Sequence, residues 1–373
     1  MAGIYIHIPF CKQKCTYCDF HFSTNTSYYQ RMVNAMCIEL KERNEELRNY
    51  PLESVYFGGG TPSILPDQLT GQIFGAIRQN FDLSQIKEIT LEANPDDITA
   101  EKVQLWKSLG VNRLSIGIQS FDEVDLRWMN RAHTPEQSLN SIRTAQENGI
   151  SNLTIDLMYG LPEMSPERWK KQIQTAIDTG VQHISAYCLT VEERTALYKK
   201  VQREELIPSD QELQSEHFDL LINTLTENGF LHYEISNFGK PGFLAVHNSN
   251  YWKGQHYLGI GPSAHSFDGV SRTWNVSNNL TYMKELENGV APYEREVLTA
   301  GNQFNELLLT GLRTMWGVDL KKLGEILEIS EEFNSKVKYY CEKNWMTREG
   351  TIIYLTSDGK HYADAIAEDL FEI

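Results

Sequence analysis

Short runs of branched apolar residues alternate with longer amphipathic segments over roughly the first 235 residues of the chain. The apolar runs predict strands at 4–8, 54–57, 88–92, 113–118, 153–158 and 183–188. The stretches between them carry apolar residues at helical spacing and predict helices at 29–47, 66–80, 100–109, 135–148, 166–179 and 210–228. Strand and helix in strict alternation imply a parallel sheet with crossover helices, an α/β fold. A closed (β/α) barrel needs eight such units, and two are missing.

After about residue 235 the texture changes to Gly, Asn, Tyr and Trp with irregular turns. Periodic segments return from Thr299, at 320–327 and 331–341, with a strand-like run at 352–355 ahead of Asp358-Gly359. These predict a small, mainly helical C-terminal domain with a β-hairpin, in a winged-helix-like arrangement. The expected organisation is 1–235, a connecting region at 236–298, and 299–373. No run approaches the roughly 20 apolar residues that span a bilayer. The opening Met-Ala-Gly-Ile-Tyr-Ile-His-Ile-Pro reads as a strand and not as a secretion signal, so the expected location is the cytoplasm, where thiols stay reduced. The formal charge is −16, from 34 basic and 50 acidic residues, and it disfavours a nucleic-acid surface, which needs Lys and Arg against phosphate.

The ends of the predicted strands are chemically loaded, and in (β/α) barrels those ends form the active-site face. Cys-x3-Cys-x2-Cys follows the first strand as Cys11, Cys15 and Cys18, and Gly58-Gly59-Gly60-Thr61-Pro62 follows the second. Three thiols this close leave one over if two pair as a disulfide, but together they suit a 4Fe-4S cube with one iron left free for another ligand. A zinc ion is the alternative, and it needs a fourth ligand such as His7 or His21. Cys37, Cys188 and Cys341 are scattered in apolar contexts and read as small buried hydrophobes.

The C-x3-C-x2-C spacing, with Tyr17 inside it, resembles the radical S-adenosylmethionine (radical SAM) family. That resemblance implies an open six-stranded (β/α)6 partial barrel. It also implies a 4Fe-4S cluster on the three cysteines, with S-adenosyl-L-methionine chelating the fourth iron and being cleaved to an adenosyl radical. Almost the whole chain, including the C-terminal domain, is similar to the oxygen-independent coproporphyrinogen III oxidase family within it. On that similarity Gly59, Gly60 and Thr61 cradle the methionine end of S-adenosylmethionine, and Glu92, Gln119, Arg131 and Asp156 contact the cofactor. Tyr5, in Tyr-x-His-Ile-Pro-Phe-Cys, packs near it. Carboxylates and amides suit ribose hydroxyls and an ammonium, and Arg suits a carboxylate.

Two departures separate the chain from the porphyrinogen-oxidising members, which carry a further Cys where Phe20 stands and a long extension ahead of the cluster. In their place stands His247-Asn248-Ser249-Asn250-Tyr251-Trp252. His-Asn-x-x-Tyr-Trp is typical of the heme-chaperone branch of the family. It implies heme as a ligand, with His247 as a candidate iron ligand and flanking aromatics to stack on the porphyrin. His232, His256 and His265 lie in the same region as further candidates. The expected function is to bind heme and pass it to apo-hemoproteins, including respiratory enzymes at the membrane. The alternative is a coproporphyrinogen III dehydrogenase in which the radical oxidises propionate side chains. A radical enzyme acting on nucleic acid is a third class, which the acidic charge disfavours.

Overall fold

The computed structural model describes residues 1–372. Strands β1 (Ala2–Ile8), β2 (Leu52–Gly59), β3 (Glu88–Ala93), β4 (Arg113–Gln119), β5 (Leu153–Tyr159) and β6 (His183–Cys188) lie side by side in sequence order, each parallel to the next. Helices cross over between them, as the alternation predicts. Their starts follow local chemistry: Thr134 and Gln137 form a capping box ahead of Pro135–Glu147, and Ser165 caps Pro166–Asp178 with Pro at its first position. The sheet does not close, in keeping with a six-stranded partial barrel.

Within each of these strands the residues alternate between two faces. Ile4, Ile6 and Ile8 of β1, Val55 and Phe57 of β2, and Leu114, Ile116 and Ile118 of β4 are fully buried in the apolar cluster that contains the crossover helices. The intervening residues are polar and bond to one another across the barrel interior. Tyr56 donates to Glu92 at 2.7 Å, Ser115 to Asp156 at 3.4 Å, and Arg113 to Thr154 at 2.7 Å. The period-two polarity inside the apolar runs is the mark of a sheet packed on helices outside and wet inside.

The region expected to be a connector, 236–298, is instead sheet and core. β7 (Leu231–Glu234) and β8 (Asn237–Gly239) fold antiparallel onto the β6 edge. On the opposite edge β9 (His256–Ile260) runs parallel to β1 and continues into β10 (His265–Phe267), β11 (Ser271–Asn275) and β12 (Tyr293–Val297). One buried cluster anchors this extension. Glu39 accepts from Tyr282, the Gly261 N–H and Asn275, and pairs with Arg43, which itself donates to Gly259, Ser266 and Thr273. Leu258, Ile260, Tyr282 and Met283 belong to the same apolar core as β1 to β6.

The C-terminal residues build a second core around Phe304, Leu308, Leu323, Phe333, Val337 and Ile353. Helix Ala300–Leu312, β13 (Val318–Asp319), helices Leu320–Ile326 and Glu331–Glu342, then β14 (Met346–Glu349) and β15 (Ile352–Leu355) follow in the order of a winged helix. The domain docks on the open side of the sheet through Ile235 N–H to Arg313 O and Met315 N–H to Tyr233 O, both 3.0 Å.

Candidate functional site

The C-terminal ends of β1 to β6 and one wall of the C-terminal domain enclose a cavity of about 1140 Å³. Cys11, Cys15, Cys18, Tyr17, Gly59, Gly60, Thr61, Glu92, Gln119, Arg131 and Asp156 all line it. Parallel strands in register bring this about, because each strand ends at the same level and each following loop turns over the same mouth.

The cysteine loop is pinned on two sides. Along β2, the Gly60 N–H bonds Ile8 O at 2.8 Å and the Thr61 N–H bonds Phe10 O at 2.7 Å, while Thr61 Oγ1 donates to Cys11 Sγ at 3.6 Å. The glycines therefore serve close packing of the chain on itself. A Cβ at Gly59 would overlap the His7 ring, one at Gly60 would overlap Phe10 O, and Gly59 holds φ +103°. Beyond β4, Gln13 donates to Asn130 O, Asn130 to Lys14 O, and the Thr16 N–H to Met129 O. Gln119 ends β4 with φ 64°, a left-handed conformation uncommon for a residue other than glycine, and this places it in the cavity wall.

Charge in the cavity is unsettled in the way a cofactor site requires. Burial pushes the Cys11 thiol up to about 11, against the lowering effect of Thr61, and Cys18 is raised for the same first reason. A cation beside these sulfurs would offset the cost of ionising them. Among the described residues no three His, Cys, Asp or Glu side chains converge as ligands of a single ion would. A cube, whose thiolates hold different irons, asks for no such convergence. Glu92 and Asp156 are both raised to about 7, first by burial, and repulsion from Asp156 raises Glu92 further. Buried Nε of Arg131 has no hydrogen-bond partner. The donor set fits a cluster with a polar, cationic co-ligand beside it.

Tyr5 lies below the cavity, its Oη 3.2 Å from His7 Nδ1 and its ring stacked 6.1 Å from Tyr56, which bonds Glu92. His247 lies deeper still. Helix Val246–Trp252 forms the floor of the barrel, its first N–H groups held by Glu88 at 2.7 and 3.0 Å. The His247 ring is stacked on Tyr56, with Nδ1 2.9 Å from Ser54 Oγ, and burial lowers its pKa to about 4. It is not among the cavity-lining residues, and Tyr251 and Trp252 line a separate, smaller cleft. His232 is stacked on Phe238 and bonds Ile235 O; His256 packs against Tyr50, and His265 is exposed on β10. Cys37, Cys188 and Cys341 are half-buried, and Cys188 lines the cavity. Phe20 is 70% exposed at the cavity rim. Sequence reasoning missed Asn94, Ser115, Tyr187 and the C-terminal wall of Arg313 and Lys360 to Ala365. Ser115 was findable from the polar alternation of β4, but nothing local marks the C-terminal wall.

A partial barrel with three cysteines on the loop after β1 defines the radical SAM class, and the Radical SAM superfamily profile matches residues 5–207. The heme chaperone HemW of Bacillus subtilis is 33% identical, covering 96% of each chain, and that of Mycobacterium tuberculosis is 32% identical over 99% of this chain and 94% of its own. Escherichia coli coproporphyrinogen III oxidase, HemN, described as a radical SAM enzyme, shares the fold with a TM-score of 0.85 at 20% identity, over 99% of this chain and 90% of its own. The chain belongs to the heme chaperone HemW family of the radical SAM superfamily.

Proposed function

We propose that this protein binds heme and hands it to apo-hemoproteins, with a 4Fe-4S cluster on Cys11, Cys15 and Cys18 and S-adenosylmethionine beside it. The observation that carries the reading is the single cavity of about 1140 Å³ running from the three thiols to the C-terminal domain. A single small-molecule site occupies roughly 300–1,000 Å³, so this cavity is larger than one such ligand needs. The names of the near full-length relatives support the same ligand.

The bound cluster and S-adenosylmethionine supply one-electron chemistry. The chain's own part is positional. Gly59, Gly60 and Thr61 hold the cysteine loop and present backbone to the methionine end. Arg131 offers a guanidinium, Gln119 an amide, and Glu92 and Asp156 offer oxygens to ammonium and hydroxyl groups. Tyr17 covers the cluster and Tyr5 packs behind Glu92. His247 reaches heme only if the floor helix leaves Glu88 and Ser54. No helix among the described residues is long and apolar enough to cross a membrane. We place the protein in the cytoplasm, with recipients that include membrane-bound respiratory enzymes.

Anaerobic titration of the cluster-reconstituted protein with hemin, followed by mixing with apomyoglobin, tests the reading. Saturable binding and transfer faster than free release are expected. Absence of binding, or formation of protoporphyrinogen from coproporphyrinogen, would instead favour radical catalysis. Replacing Cys11, Cys15 and Cys18 by Ala should remove iron and leave the fold, and iron retained by that variant would sink the cluster assignment.

A further inference from the structure

The chain has ten histidines, yet among the described residues His361 is the one that lines the cavity. It sits between helices Ser357–Lys360 and Ala363–Asp369, where the C-terminal domain contributes to the cavity wall. Its Nε2 lies 2.8 Å from Asp219 Oδ1 on the core helix Gln211–Glu227, and its ring stands edge-on to Phe218 at 5.1 Å. A carboxylate that holds one imidazole nitrogen orients the ring and leaves the other for a metal, which is how ligating histidines are supported.

The neighbouring residue supplies the second requirement of heme, a partner for its carboxylates. Lys360 is enclosed, and its Nζ is 3.1 Å from His232 Nδ1, a neutral partner. Among the described residues no carboxylate lies within ion-pair distance of it. Burial lowers its pKa to about 8, against the raising effect of the more distant Glu234 carboxylate. Arg313 stands in the same wall but is already paired, with Glu234 at 3.5 Å and Asp364 at 2.5 Å, so Lys360 is the cation there that lacks an ion pair. A buried cation without an anion is costly, and an anionic ligand relieves the cost.

We propose that His361 is an axial ligand to heme iron in this cavity, with Lys360 pairing a heme carboxylate. The porphyrin is then held by the C-terminal domain and not by the floor helix that carries His247. This rests on the heme reading above and adds to it a site, an iron ligand and an orientation, with the carboxylates toward the C-terminal wall.

The test is anaerobic hemin titration of the full-length, cluster-reconstituted protein, wild type against His361→Ala, His361→Gly, Lys360→Gln and His247→Ala. Circular dichroism and iron content serve as controls for fold and cluster. His361→Ala should weaken binding by about tenfold or more and shift the Soret band. His361→Gly should regain the wild-type band when imidazole is added, which a merely structural role would not produce. Lys360→Gln should weaken binding without moving the band, and His247→Ala should leave the band in place. If wild type binds and His361→Ala keeps its affinity and spectrum, the placement falls while the heme reading stands. If His247→Ala alone removes the Soret signature, the floor helix is the site. If wild type shows no saturable binding, the heme reading falls and takes this placement with it. Should His361→Ala fail to fold, His361→Gln is read by the same criteria.

Discussion

Arg131 Nη1 lies 3.4 Å from Cys15 Sγ, while Nη2 of the same side chain is 2.7 Å from Asn94 Oδ1 and 2.8 Å from Gly117 O. One guanidinium thus ties the cysteine loop to the segment after β3 and to β4, and places its charge beside a sulfur that must ionise to hold iron. A nearby cation stabilises a thiolate. Arg131→Met should therefore lose iron to a chelator faster than wild type, with little change in far-ultraviolet circular dichroism. Arg131→Lys should fall between them, because it keeps the charge but not the fork that reaches three partners. Equal chelation rates for all three would refute this role.

Gly60 and Gly71 make opposite predictions. A Cβ at Gly60 meets backbone oxygens of Phe10 and Ile8, whereas one at Gly71, inside helix Asp67–Asn80, meets nothing within 4 Å. Gly60→Ala should destabilise by more than about 1 kcal/mol, through backbone that must shift, and should loosen the cysteine loop enough to reduce iron incorporation. Gly71→Ala should stabilise by about 0.5–1 kcal/mol. Urea denaturation of both variants decides the matter, and a neutral Gly60→Ala would remove the packing argument for the glycine run.

Glu39 is fully buried and joins the first helix to the β9–β12 extension through Arg43, Tyr282, Asn275 and the Gly261 N–H. Removing one partner of a buried ion pair strands the other charge. Glu39→Ala is expected to cost about 3–5 kcal/mol. A loss below 1 kcal/mol, measured by denaturant midpoint at constant slope, would mean that the extension is held by apolar contacts alone.

Glu92 and Asp156 hold their protons to about pH 7 because burial, and for Glu92 the neighbouring carboxyl, disfavours charge. Their folded pKa values exceed the unfolded ones, so the stability they contribute is fully present below the ordinary carboxylate range. It is lost as pH rises through 7. Buried histidines such as His7 and His247, lowered to about 4, pull the other way. The informative quantity is therefore the difference between Glu92→Gln/Asp156→Asn and wild type. Without S-adenosylmethionine the variant should gain in relative thermal stability between pH 5 and 7.5, by an amount on the order of a few kcal/mol. Bound S-adenosylmethionine, which is cationic, should shrink that gain. A pH-independent difference would show that neither carboxyl titrates in this window, against the raised values.

The order of strands β1 to β6, the crossover helices and the meeting of eleven candidate residues in one cavity were legible in the sequence. Parallel α/β architecture writes itself locally: each strand is a short apolar run, each helix an amphipathic one, and each catalytic-face loop follows its strand directly. The extension at 256–297 was not legible, because its strands are short and polar and owe their place to Glu39 and Arg43. These two stand i,i+4, a spacing common on exposed helix faces, and only packing makes them a buried anchor. The placement of His247 on the barrel floor and of His361 in the cavity wall was equally hidden. A motif specifies which residues are near in the chain, but which side of a closed surface a side chain faces is decided by segments far apart in sequence, here Glu88 against the floor helix and Asp219 against the C-terminal domain.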